Sequence, residues 1–195
     1  MKPEFSFYDR EVNQAISFVK VELERDAGTL HKWHQERHVS PFWNLNIPYE
    51  KYWTHLEGFL ADTHQTLFLG LMDGVPMSYW EAYWVNGDVV ESCYDPHPED
   101  RGIHLLIGES DYLGKGYALP LLRAMVHFQF LHQGTEKVIA EPDIRNKKMI
   151  HIFERCGFEK IKPIELPDKT GMLMFCEREQ FERRWKDVFT AAESV

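Results

Sequence analysis

"IHLLIGESDYLGKGYALPLLRAM", residues 103–125, reads as a buried strand, a turn with two glycines and the start of a helix. The run 103–108 is apolar except for His104, as expected of a strand covered on both faces. Gly114 and Gly116 stand just before an apolar pattern of helical spacing. That pattern predicts a helix from near Gly116 to Gln133-Gly134, with glycine as its C-cap. Glycine removes the side chain where something must come close to the backbone. A helix that starts there offers unpaired N–H groups and the positive end of its dipole. Together these features describe an anion site, most often one for phosphate.

The elements around this stretch follow from period and punctuation. Towards the C-terminus, "EKVIAEPD" is a strand, "NKKMIHIFERCG" a helix capped by Gly157, and "FEKIKPIEL" and "GMLMFCERE" two strands. A short helix over 179–190 closes the chain. Towards the N-terminus, "FSFYDREV" and "AISFVKVEL" alternate as a hairpin. Asp26 is expected to cap a helix running to Arg37, "VSPFWNLNIP" to be a loop, and Tyr49–Asp62 a second helix. "QTLFLGLMDGVPMSYWEAYWV" reads as strand, Asp73-Gly74 turn and strand, and "DVVESCY" as a short added strand. Antiparallel strands followed by β-α-β-α-β-β predict an α+β chain with a mixed, mostly antiparallel sheet flanked by helices.

The length of 195 residues fits a single domain, 1–195. A net charge of -9 argues against a broad nucleic-acid surface, so an anionic ligand needs local cations. Lys115, Arg123, Arg145, Lys147 and Lys148 are the candidates. The stretch "MKPEFSFYDR" lacks a signal core, and no apolar run is long enough for a membrane span. Cys93, Cys156 and Cys176 match no zinc or CxxC spacing, as expected of free thiols in a reducing cytoplasm.

Two familiar phosphate loops fail. A dinucleotide fingerprint needs a third glycine where Leu119 stands. In a P-loop, Gly116 would occupy the place of the magnesium-binding Ser or Thr. "LGKGYALPLL" instead resembles the acyl-CoA loop of the GNAT acetyltransferases, Q/R-x-x-G-x-G/A, over Leu113, Gly114, Lys115, Gly116, Tyr117 and Ala118. Leu113 departs from the usual Gln or Arg. "DRGIHLLIG", "EPDIRNKKMIHIFERCGF" and "LPDKTGMLM" add a likeness to the siderophore-biosynthesis branch, which contains hydroxylysine acetyltransferases and mycobactin-type lysine acyltransferases. The resemblance implies a GNAT fold, backbone N–H groups that hold the CoA pyrophosphate, and acetyl-CoA or another acyl-CoA as co-substrate. It further implies that Asn146 contacts the CoA arm and that N–H groups near Leu106 polarise the thioester.

Acyl transfer to nitrogen needs a neutral nucleophile and a place for its proton. His104, the one polar residue of its strand, shares a face with Leu106, while Ile103, Leu105 and Ile107 face the other way. It is the expected base. Alternation at the end of the next strand puts Glu141 and Asp143 on one face; the GNAT resemblance implies an acidic partner for His104 at or beside this position, with Glu141 expected and Asp143 the reserve. His31, His34 and His38 fall on one helical face, yet "HQERH" matches no zinc-protease spacing, and no metal is expected. On the GNAT reading, Trp33, His34, His38 and Trp43 line the acceptor slot and Glu81 meets an amino-acid ammonium.

The expected acceptor is a small amine or hydroxylamine, with no nucleic acid and no membrane partner. A monomer and a homodimer are both compatible with the sequence. An aminoglycoside-type N-acetyltransferase and a non-catalytic acyl-CoA-binding module are the alternative readings.

Overall fold

The computed structural model describes residues 1–190. Its centre is an eight-stranded sheet in the order β1-β2-β3-β4-β5-β6-β8-β7. The hairpin β1 (Phe5–Asp9) and β2 (Gln14–Lys20) comes first. Then follow α1 (Leu23–Gln35), the four-residue α2 (Ser40–Trp43) and α3 (Tyr49–Ala61). Strands β3 (Gln65–Met72), β4 (Val75–Trp84) and β5 (Arg101–Ile107) run antiparallel to one another. Helix α4 (Ala118–Phe130) leads to β6 (Lys137–Ala140), and α5 (Lys147–Cys156) leads to β7 (Glu159–Glu165) and β8 (Thr170–Glu177), before α6 (Arg178–Thr190).

Alternation along the strands makes two cores. Phe68, Ile103, Leu105 and Ile107 pack with α4, α5 and Phe181 on one face. Leu67, Leu69, Leu71, Tyr79 and Leu106 pack with α1 and α3 on the other.

Four local expectations are corrected. Residues 89–93 form a 3-10 helix, not a strand, because the Asp88 carboxylate accepts the Val90 N–H (3.0 Å) and winds the chain. Asp26 lies inside α1, which starts three residues earlier; its carboxylate accepts the Glu22 N–H (2.8 Å) from within the first turn. Helix α1 ends at Gln35, and part of the expected loop is α2. Helix α4 ends at Phe130, where the Leu131 N–H bonds both the His127 and Phe128 carbonyls (3.1 and 3.3 Å), so Gly134 is not its cap.

One pairing positions everything that follows. β5 is seven residues long, yet it pairs with the parallel β6 only at Arg101–Val138 and Gly102–Ile139. β6 stops at Ala140, and two residues later Pro142 has no N–H to donate. Beyond Gly102 the two strands part.

Arg123 is not a phosphate ligand. It is fully buried in α4, where its Nε (3.1 Å) and Nη2 (2.5 Å) donate to Asp9 and its Nη1 to Glu11. The pair ties α4 to the end of β1. Arg123→Ala strands the buried Asp9 carboxylate and should lower unfolding free energy by about 3–5 kcal/mol in urea denaturation. A loss below about 1 kcal/mol would contradict this account of the pair.

Candidate active site at the parting of two strands

The turn before α4 has the geometry its glycines predict. Gly114 and Gly116 sit at φ +72° and +84°, where a side chain is strained, and an added Cβ at either would meet open space. Tyr117, the residue before α4, makes no side-chain cap. None of the backbone N–H groups from Gly114 to Leu119 has a partner among the described residues.

This turn borders a groove of about 820 Å³ that runs from it along β5 to the start of α5. Leu113, Gly114, Gly116, Tyr117 and Ala118 line one end, and Arg145, Asn146, Lys147 and Lys148 line the side. Lys115 lies outside this lining. A phosphate-bearing arm fits such a groove, because unpaired N–H groups and cations meet in it.

The orientation of β5 decides which amides face the groove. Gly108 N–H donates to Met77 O (2.8 Å) and Val85 N–H to Asp100 O (3.1 Å). By antiparallel alternation the even-numbered residues of β5, Leu106 included, bond to β4. Leu105 and Ile107 turn their N–H groups towards the parting. His38 Nε2 donates to the Ile107 carbonyl (2.8 Å) on that same side. The amides that can polarise a carbonyl here are therefore the neighbours of Leu106 and not its own.

Where β5 and β6 separate, the groove meets a second pocket of about 250 Å³. Phe42, Trp43, Leu105, Asn146 and Met149 line both. His104 stands in the wall of the smaller pocket between two carboxylates. Its Nδ1 donates to Glu81 (2.7 Å), directly opposite on β4, and its Nε2 donates to Glu141. Tyr79 donates to the other Glu81 oxygen (3.0 Å) and Tyr83 to the other Glu141 oxygen (2.8 Å). Lys169 Nζ lies 3.8 Å from Glu141. Gly102 makes this closure possible: a Cβ there would lie 1.9 Å from the Tyr83 ring that crosses it.

The electrostatics follow from this pairing. Burial disfavours a charged imidazole, but the Glu141 charge and the hydrogen bonds to both carboxylates outweigh it and raise the His104 pKa to about 10. Burial also works against Glu141, yet His104, then Lys169 and Tyr83, hold its pKa down to about 2. Glu81 is likewise lowered despite burial, chiefly by its bond to His104. Sequence reasoning expected one carboxylate beside a neutral base. With two, the ring is an imidazolium at neutral pH.

The other expected residues scatter. Asp143 accepts the Arg145 N–H (2.8 Å) and pairs with its guanidinium (2.6 Å); it lines the pocket, but its carboxylate goes to Arg145 and not to His104. Asn146 caps α5 through Met149 N–H (3.1 Å) and lines both cavities. Trp43 lines the smaller pocket, with its ring centre 6.3 Å from that of His104. Trp33 does not: it is buried in the α1 core and donates to Glu109 (2.8 Å). His34 is buried as well, with Nδ1 donating to Leu30 O (2.8 Å). His38 belongs to the larger groove. His31 donates to Ile47 O (2.8 Å), so the three helix histidines bond in three places. Among the described residues no cluster of His, Cys, Asp and Glu is placed to hold a metal ion. No described helix is long and apolar enough to cross a membrane.

Sequence reasoning missed Tyr79, Tyr83 and Lys169. The first two had a signal, because Tyr79, Glu81 and Tyr83 alternate on one strand face. Lys169 had none beyond the hairpin that carries it.

Comparison with known proteins identifies the family of the fold. Residues 22–166 match the family described as "Acetyltransferase (GNAT) domain". The chain is 32% identical over 177 residues to an N-hydroxyputrescine acetyltransferase of Acinetobacter baumannii, covering 91% of this chain and 84% of that protein. Two other curated relatives are longer, and the chain spans 56% and 55% of them. It is similar in structure to an uncharacterized protein from Bacillus halodurans (TM-score 0.93, 49% identity, 96% and 97% of the two chains). It is also similar to aminoglycoside acetyltransferase AAC(6')-Ib in complex with coenzyme A (TM-score 0.78, 25% identity, 86% and 98%).

The histidine gives a direct check. Its stability contribution is complete below the ordinary pKa of 6.5 and is lost as pH rises through about 10. The ring resonances of His104 should titrate near pH 10 in NMR and should move down by more than a unit in Glu141→Gln. A wild-type midpoint near 6.5 would overturn the charged assignment.

Proposed function

The chain belongs to the GNAT acetyltransferase family, and we propose that it moves the acetyl group of acetyl-CoA onto an N-hydroxylated aliphatic amine during assembly of a hydroxamate siderophore. The single observation that carries the choice of acceptor is the placement of His104 between the carboxylates of Glu81 and Glu141, which favours the charged ring. An unmodified alkyl amine has a pKa of about 10.4 and arrives as an ammonium. A histidine that already holds its proton cannot remove another. At neutral pH the charges of Glu81, Glu141, His104 and Lys169 cancel, which suits a neutral nucleophile. A hydroxylamine nitrogen is much less basic and arrives neutral.

Bound acetyl-CoA supplies the thioester carbonyl. In this reading the Leu105 and Ile107 N–H groups draw charge onto its oxygen. His104 holds both carboxylates in line, and Glu141 takes the proton that the acceptor nitrogen loses as the C–N bond forms and the C–S bond breaks. Tyr83 and Lys169 fix Glu141 for that task. The buried thiols of Cys156 and Cys176 are in keeping with a cytoplasmic enzyme. The aminoglycoside reading fits less well, because a pocket of about 250 Å³ suits a slim chain better than a multi-ring sugar.

Two outcomes test the reading. In competition assays with acetyl-CoA, an N-hydroxylated alkyl amine should outcompete the unmodified amine at pH 7, and the preference should shrink at pH 9. Equal specificity constants at pH 7, or preference for an aminoglycoside, would overturn the acceptor class. Glu141→Gln should lower kcat roughly 10²–10⁴-fold while CoA affinity by calorimetry stays the same. Near-wild-type turnover would remove Glu141 from the mechanism.

A further inference from the structure

Past the pairing of Gly102 with Ile139, the edge of β5 that faces the parting has no strand beside it. In a sheet that continued, a backbone N–H of the next strand would donate to the Ile107 carbonyl. Here a side chain does so. His38 Nε2 donates to Ile107 O (2.8 Å), and among the described residues no other hydrogen bond reaches the Leu105 or Ile107 backbone from that side. The other two helix histidines stay in their own layer, on the Ile47 and Leu30 carbonyls, so His38 alone reaches the sheet. Its imidazole comes from a fixed frame. Val39 N–H and Ser40 N–H both donate to Glu36 O (2.9 Å each) and close the turn that carries His38. Val39 is buried in the core of α1 and α3. Three residues beyond His38, Pro41 O accepts from Arg145 Nη2 (3.3 Å), which ties the segment to the residues just ahead of α5.

We propose that His38 is a positioning residue for acyl transfer: its Nε2–H stands in for the absent strand partner and holds Ile107 so that the Ile107 N–H stays directed at the thioester oxygen. This rests on the reading above in which the Leu105 and Ile107 amides draw charge onto that oxygen. Ile107 is the last residue of β5, and its N–H and C=O both lie on the parting side. On one flank Leu106 is paired with Tyr79, and on the other Gly108 N–H is fixed to Met77 O (2.8 Å). Once His38 holds its carbonyl, Ile107 is pinned on both flanks and at its own oxygen, and the N–H is the group left for a ligand. A strand end with one bare edge is among the segments that open most easily. A donor acts on the developing oxyanion only when it is already in place, because an amide that must reorient adds the cost of that motion to the barrier. His38 lines the larger groove and not the smaller pocket, so its effect falls on the acyl side of the reaction and not on acceptor binding.

The test uses the full chain and a readout that needs no acceptor. His38→Phe keeps a ring and loses the donor, whereas His38→Gln restores an N–H at similar reach. With acetyl-CoA isotope-labelled at the carbonyl carbon, infrared difference spectra should show the thioester C=O stretch at lower frequency in the wild-type complex than in free acetyl-CoA. His38→Phe should cancel most of that displacement, and His38→Gln should restore it. In turnover with an N-hydroxylated alkyl amine, His38→Phe should lower kcat roughly 10–100-fold, with acceptor KM and acetyl-CoA affinity by calorimetry each changed less than about threefold. His38→Gln should recover most of that loss. If His38→Phe does not fold, His38→Asn replaces it, since the shorter amide does not reach the Ile107 carbonyl. A carbonyl stretch in the donor-less variant equal to that of the wild type overturns the proposal and leaves the amide reading standing. So does a loss of acetyl-CoA affinity that accounts for the lost turnover, which would make His38 a plain cofactor contact, or a loss of kcat that His38→Gln does not recover. A wild-type complex with the carbonyl stretch of free acetyl-CoA overturns the amide reading itself, and this inference with it.

Discussion

The parting of β5 from β6 is the constraint on which the molecule's chemistry depends. Two residue pairs hold the parallel strands together, and then the ladder ends at Ala140, ahead of Pro142. A continuous sheet would satisfy the Leu105 and Ile107 amides with a neighbouring strand. Here they face a groove instead. The same divergence carries Glu141 out of the ladder and up to His104, and it opens the passage through which the two cavities share Asn146, Met149 and Trp43. One short strand thus sets the larger groove, the smaller pocket and their junction.

Around that junction the side chains form a closed polar chain, Tyr79–Glu81–His104–Glu141–Tyr83. A buried carboxylate without a partner is expensive. Each of these has two, and Glu141 has a nearby lysine as well. The closure explains why the imidazole is charged and rigid. On the mechanism proposed above, it also moves the proton acceptor from the histidine to Glu141 and favours a nucleophile that arrives neutral.

The strand–turn–helix stretch, the two positive-φ glycines and the polarity of His104 were legible in the sequence because each is local. Alternation put His104 and Leu106 on one face and Ile103, Leu105 and Ile107 on the other, as the two cores show. The misreadings came from local rules with more than one solution. Asp88 could begin a strand or wind a turn, and Asp26 could cap a helix or sit within its first turn.

The sequence by itself determined the order of the main strands and helices, the mixed sheet, the two-glycine turn before α4 and the family likeness, since these rest on period, glycine placement and motif spacing within about 20 residues of chain. Tertiary structure alone decided which charges meet. Arg123, 114 residues from Asp9, is spent in the core and not on phosphate. Glu81, 23 residues from His104, becomes its second carboxylate and makes it an imidazolium. Trp33 and His34 go to the core, Trp43 to the pocket and His38 to the groove. The physical reason is that charge and burial depend on distance in space. A strand register brings together residues whose separation along the chain carries no sign of the contact.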